Sequence, residues 1–128
     1  MIYTTYFSNL KNLPNNIIPV SICSKPPNGW TGLQYKKLAP KYSFFIEWKK
    51  NHDNNYYTKC FNEQVLDKLN AKDVYEDLIS LCGAGTTTNI TPNVALVCYE
   101  KSTDFCHRHL IAKWLRENGY ECKEWRNE

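Results

Sequence analysis

The apolar run Val94-Ala95-Leu96-Val97, continued by Cys98, constrains the chain more than any other stretch. A short unbroken run with two β-branched residues reads as a buried strand, and such a strand needs a covered sheet around it. Tyr99 and Glu100 follow, then the polar link Lys101-Ser102-Thr103-Asp104, then a helical pattern through Trp114. In an open α/β sheet, ligands bind where a strand end hands over to a helix. This junction also concentrates chemistry. Within a dozen residues it holds two of the six cysteines, two of the three histidines, Arg108 and Glu100.

The rest of the chain supplies the sheet and its cover. Ile2 to Phe7 alternates and is rich in aromatic and β-branched residues, which predicts a first strand, and Ile17 to Cys23 predicts a second, with Pro19 an awkward member. Leu13-Pro14-Asn15-Asn16 is the turn between them. Ser24-Lys25-Pro26-Pro27-Asn28-Gly29-Trp30 must end strand pairing, because proline lacks a donor. Thr31 is placed to cap a short helix through Leu38, which Pro40 stops. Tyr42 to Lys50 carries Phe44, Phe45 and Trp48 at helical spacing, an aromatic stripe expected in the core. A helical run from Tyr57 to Leu69 and another from Ala71 to Leu81 follow. Gly83 to Asn93 reads as a connection. It is no phosphate loop, since no Gly-Lys-Ser/Thr ending follows. Asn118-Gly119 stops the last helix, and Tyr120 to Trp125 alternates as an edge strand. The order predicts a single α/β domain over residues 1–128, with a small, mostly parallel sheet covered by helices. A chain of 128 residues is one domain's worth, large enough to bury roughly two thirds of its unfolded surface.

Charge and cysteine usage narrow the setting. Residues 1–60 carry eight Lys against Glu47 and Asp53, a net +6, while residues 61–128 carry eight basic against eleven acidic residues, a net −3. The basic half suits an anionic partner, nucleic acid included, or simply solubilises exposed helix faces. The cysteines at 23, 60, 82, 98, 106 and 122 lack the density of a secreted disulfide framework. Reduced thiols and a cytoplasmic setting are expected, in which the Asn89-Ile90-Thr91 sequon has no meaning. No apolar run is long enough to span a membrane. The excess of Lys (13) over Arg (3), with 14 Asn, suits an AT-rich genome.

With Asp104 as N-cap, the free amides of residues 105 to 107 and the positive end of the helix dipole would face the crevice and favour an anion. Arg108 adds a guanidinium fork for phosphate or carboxylate, and Lys101 approaches from the link. The purely structural alternative pairs Arg108 with Glu100 or with an acidic residue on a neighbouring helix. Cys106, in the first helical turn, would have its thiolate favoured and its pKa lowered below about 8.5, unless it is simply a small buried residue. Cys98, inside the apolar run, reads first as packing. His107 and His109 lie about 200° apart around a helix, so at most one serves a given site. His107 is the nearer and suits a general base, with Glu100 as its orienter or as an acid. A cysteine-phosphatase arrangement fails on spacing, because nine residues separate Cys98 from Arg108 and one separates Cys106 from it. Seven residues between Cys98 and Cys106 exceed the roughly two to four of structural zinc, so no metal and no cofactor are expected.

The segments Cys98-Tyr99-Glu100-Lys101 and Phe105-Cys106-His107-Arg108-His109-Leu110-Ile111-Ala112-Lys113-Trp114-Leu115 resemble the signature of the domain of unknown function 488 family, whose most specific mark is the Cys-His-Arg triplet. Tyr6-Phe7-Ser8-Asn9-Leu10, Val20-Ser21-Ile22-Cys23 and Gly32 to Pro40 are similar to its short members, so the resemblance covers nearly the whole chain. It implies a compact α/β domain of bacteria and phages, with chemistry on nucleotides or nucleic acids. It further implies that Cys98, Glu100, Cys106, His107 and Arg108 belong to one site, with residues 26–37 as a second wall. Many longer members carry an Arg where this chain has Cys23-Ser24. The expectation is a strand-end site for a small anionic, nucleotide-derived ligand. Arg108, Lys101, Cys98 and Lys36 would lie around it, Trp30 or Tyr35 would stack a base, and Cys106, Glu100 and His107 would carry any hydrolysis or transfer. Two other classes remain open: an inert protein that sequesters a nucleotide signal or docks on a partner protein, and a nucleic-acid binder.

Overall fold

Val94, Ala95, Leu96, Val97 and Cys98 are all fully removed from solvent, and they form the middle strand of the sheet. A computed structural model describes residues 1–83, 91–100 and 104–126. Its strands are β1 (Ile2–Tyr6), β2 (Ile17–Ser21), β3 (Leu33–Gln34), β4 (Asn93–Cys98) and β5 (Cys122–Glu124), in the order β3-β2-β4-β1-β5. Every pairing is parallel: Ile2 to Tyr6 run beside Val94 to Cys98 on one side of β4, and Ile17 to Ser21 beside Asn93 to Val97 on the other. The expected α/β class, with a small parallel sheet under helices, is what the chain adopts.

Pro19 fits inside this sheet for a local reason. Ile22 N–H donates to Val97 O on the β4 side, while Ser21 O accepts from Tyr35 N–H on the β3 side. Backbone groups alternate along a strand, so Pro19 aims its missing donor toward β3, where pairing begins only at Val20.

The helices are α1 (Tyr42–Asn51), α2 (Asn54–Gln64), α3 (Ala71–Gly83) and α4 (His107–Glu117). Asp53 caps α2 by accepting from Tyr56 N–H at 3.1 Å, and Asn70 accepts from Asp73 N–H at 3.1 Å at the start of α3. Gly119, at φ 89°, ends α4 as expected, with Tyr120 N–H bonded back to Leu115 O. The core joins Val20 and Leu96 of the sheet to Phe44, Phe61, Leu78, Ile111 and Leu115 of the four helices.

Three expectations on elements are corrected. The segment after Thr31 is not a helix: Leu33–Gln34 add an edge strand beside Val20 and Ser21, and only Lys36–Leu38 coil, as a 3-10 turn. A helix so short before Pro40 makes few internal bonds, and sheet pairing offers a better alternative. Phe7, expected to end the first strand, instead opens a second 3-10 turn, Phe7–Asn12, at the start of the β1–β2 connection. The run expected to continue to Leu69 stops at Gln64 and resumes as a third such turn, Leu66–Lys68. Most of the Gly83–Asn93 connection, the sequon's Asn89 and Lys101 lie outside the described residues.

Candidate functional site

Strands β2 and β4 are neighbours whose connections depart in opposite directions, β2 outward to β3 and β4 past β1 to β5. Loops that diverge in this way leave a crevice at the C-terminal ends of the strands. A cavity of about 540 Å³ occupies it. Tyr42, Phe45 and Trp48 of α1, Tyr57 of α2 and Phe105 line one side. Phe105 sits 5.8 Å from Trp48 and 5.1 Å from Tyr57, ring centre to ring centre. Cys23, Cys106 and His107 lie at the buried end, and Ser24, Lys25, Lys49, Tyr99 and Glu100 supply the polar remainder.

The buried end is set by the start of α4. Its N-cap is Cys106 rather than the expected Asp104, and His109 N–H bonds back to Cys106 O at 3.1 Å. The helix therefore begins two residues later than predicted, and its unpaired amide dipoles favour negative charge at Cys106. His107 is buried, with Nε2 3.0 Å from Ile22 O. A carbonyl only accepts, so Nε2 carries the hydrogen and Nδ1 keeps its lone pair. That lone pair faces Cys106 Sγ at 3.7 Å. Burial, with help from the Arg108 charge, pulls the His107 pKa down to about 4, so the ring is neutral near pH 7. The residue that orients it is Ile22, through its backbone carbonyl, and not Glu100. Cys23, also in the cavity wall, stays a thiol: burial and then the Glu100 charge push its pKa up to about 12.

Arg108 has no exposed surface and does not line the cavity. Its Nε and Nη2 donate to the two carboxylate oxygens of Glu124 on β5, at 3.0 and 2.8 Å, and Nη1 donates to Cys98 Sγ at 2.9 Å and Glu100 O at 2.6 Å. Thr4 Oγ1 donates to the same carboxylate at 2.6 Å, and the Tyr6 ring lies 5.7 Å from the guanidinium. The fork expected to grip a ligand grips an internal carboxylate instead. The structural alternative named Glu100 or a helical acid, whereas the partner is a strand residue sixteen positions away.

Cys98, expected as packing, is buried but not inert. It and Cys106 are joined as a disulfide, while Cys23, Cys60, Cys82 and Cys122 are free and buried. The expectation of reduced thiols is corrected for this one pair, which β4 and the start of α4 bring together. Cys98 Sγ, Cys106 Sγ and a His107 ring nitrogen lie within 4.8 Å of one another, a grouping able to hold a metal ion once reduced. The Arg108 guanidinium on Cys98 Sγ works against a divalent cation there.

The structure moves the expected base-stacking residues away from the cavity. Trp30 packs on Phe7 at 5.3 Å, and Phe7 on Tyr99 at 5.0 Å, so Trp30 backs the wall instead of lining it. Tyr35 is buried with its hydroxyl donating to Asp77 at 2.6 Å, and Lys36 is exposed on the adjoining 3-10 turn. Residues 26–37 form no part of the cavity lining. The aromatic stripe expected in the core is divided: Phe44 is core, whereas Phe45 and Trp48 pack against the core and reach the cavity. His109 is not among the cavity-lining residues, and its buried Nε2 has no hydrogen-bond partner among the described residues.

Among the described residues, no helix is long and apolar enough to cross a membrane. No curated protein and no solved structure matches the chain. A family model described as "DUF488-N3a: Active DUF488-N3 subclade" matches residues 10–119. That span takes in β2, β4 and α4, with Cys98, Glu100, Cys106, His107 and Arg108 inside it. The chain belongs to the domain of unknown function 488 family.

Proposed function

We propose that the cavity binds a small anionic, ring-bearing ligand of nucleotide type and presents an electrophilic centre on it to Cys106. The carrying observation is that one cavity has an aromatic wall, two lysines and a Cys106–His107 end. Rings of Trp48, Tyr57 and Phe105 give a base an apolar, π-rich face, with stacking worth on the order of 1–3 kcal/mol. Lys25 and Lys49 replace Arg108 as the groups for phosphate or carboxylate. In the reduced protein the Cys106 thiol donates to His107 Nδ1, and the α4 dipole favours its thiolate as a nucleophile for transfer or hydrolysis. Glu100, at the polar side of the cavity, is the acid/base for a leaving group or water. The free buried cysteines suit a reducing bacterial cytoplasm, a host's if a phage encodes the chain.

A thermal-shift screen of nucleoside mono- and diphosphates, with reductant present, tests this. Lys25→Ala/Lys49→Ala should weaken the best binder about tenfold, equivalent to about 1.4 kcal/mol. Trp48→Ala should weaken it by at least as much. The reading is wrong if no nucleotide shifts the wild-type melting temperature. A Cys106→Ser variant separates catalysis from sequestration: ligand recovered unchanged from wild type and variant alike makes the protein a binder only. No comparable observation favours nucleic acid, and Lys37 of the basic half already pairs with Asp77 at 3.5 Å.

A further inference from the structure

We infer that Cys106 and Cys98 form a working dithiol/disulfide couple that exchanges with small anionic thiols and their disulfides through the cavity. This rests on the same reactive Cys106 as the reading above, but it needs neither a nucleotide nor a transferred group.

The two sulfurs have unequal access and unequal partners. Cys106 lines the cavity, whereas Cys98 lies behind it with no exposed surface. An incoming thiolate therefore meets Cys106 Sγ. Its attack forms a sulfur–sulfur bond to Cys106 and breaks the Cys98–Cys106 bond, and the electron pair departs on Cys98. Arg108 Nη1, 2.9 Å from Cys98 Sγ, holds the resulting thiolate. A stabilised leaving thiolate speeds exchange, and here the guanidinium is itself fixed by Glu124. A second thiolate then attacks the outer sulfur of the mixed disulfide, and Cys106 leaves as a thiolate next to the α4 amides. The two protons given up by the small thiols end on Cys98 and Cys106. The protein disulfide is reduced, and two small thiols are oxidised to one disulfide. In the opposite direction a small disulfide is reduced, the mixed disulfide forms on Cys106, and Cys98 resolves it. Lys25 and Lys49 at the cavity favour anionic substrates. The Arg108 contact also argues against a metal on these sulfurs, because it supplies the positive charge that a thiolate would otherwise draw from an ion.

Reduced protein challenged with glutathione disulfide under native conditions, followed by intact-mass spectrometry and thiol counting, tests the couple. The wild type should finish as the internal disulfide with no adduct. Cys98→Ser should stop as a stable glutathione adduct, and Cys106→Ser should acquire none. Replacing the buried ion pair with Arg108→Gln/Glu124→Gln, which leaves no lone buried charge, should slow resolution several-fold while the protein remains folded by circular dichroism. The inference is overturned if wild type and Cys98→Ser accumulate the same adduct, or if neither reacts. It is equally overturned if the reduced wild type takes up one equivalent of Zn²⁺ that blocks exchange. Normal exchange in a protein whose melting no nucleotide shifts would uphold this inference and remove the ligand reading alone.

Discussion

His107 shows how one backbone contact gives a residue its chemistry. The Ile22 carbonyl fixes the hydrogen on Nε2, which leaves Nδ1 open to Cys106. The same burial makes the residue a source of acid sensitivity. Unfolded, His107 takes a proton near 6.5, but folded only near 4, so the unfolded chain binds protons first as pH falls. Its contribution is complete above about 6.5, declines through the window down to about 4 and is then constant, a loss of about 3 kcal/mol in all. Urea unfolding at pH 7.5 and pH 4.5 should show that decline in the wild type and a smaller one in His107→Gln. Equal declines would mean that other groups carry it. Glu124 holds the companion position against Arg108. Removing it in Glu124→Ala leaves a guanidinium buried without its carboxylate, and denaturation should show a loss of about 3 kcal/mol or more. The double variant Arg108→Met/Glu124→Leu should recover most of that loss, because both charges go together. A mild single-variant effect would contradict the burial seen here.

At the level of the element, α1 divides its aromatics between two tasks. Phe44 turns inward and packs edge-on against Tyr57 at 5.1 Å, while Phe45 and Trp48 turn to the cavity. Phe44→Ala should therefore cost about 3–5 kcal/mol of stability by leaving a core void. Phe45→Ala, already half-exposed, should cost far less in the same denaturation series and should act on ligand affinity instead. Similar stability losses for both would dissolve the division. α4 makes a parallel point. Its helical pattern was readable from Asp104 onward, yet the helix starts at His107, because Cys106 takes the extended backbone of an N-cap, φ −155° and ψ 145°. That shift puts the cysteine, in place of the aspartate, against the helix dipole.

At the scale of the molecule, the sheet order creates the site. Only when β4 inserts between β1 and β2 do the ends of β2 and β4 become neighbours, and Cys23, Ser24 and Lys25 then meet Tyr99, Glu100, Phe105, Cys106 and His107 across a cavity. The chain by itself determined the parts that depend on local pattern: the buried strand at Val94–Cys98, the α/β class, the glycine stop at Gly119 and the gathering of Cys98, Glu100, Cys106 and His107 at one strand end. These follow from hydrophobic periodicity, turn chemistry and proximity along the chain, which need no distant partner. Tertiary structure alone decided that Arg108 holds Glu124, that Ile22 orients His107, that Trp30 stands behind the wall and Trp48 within it, and that Leu33–Gln34 pair as a strand. Each of those outcomes depends on which residue, far away in sequence, fills the other side of the contact. A side chain's charge and shape are local, but the partner that uses them is chosen by packing.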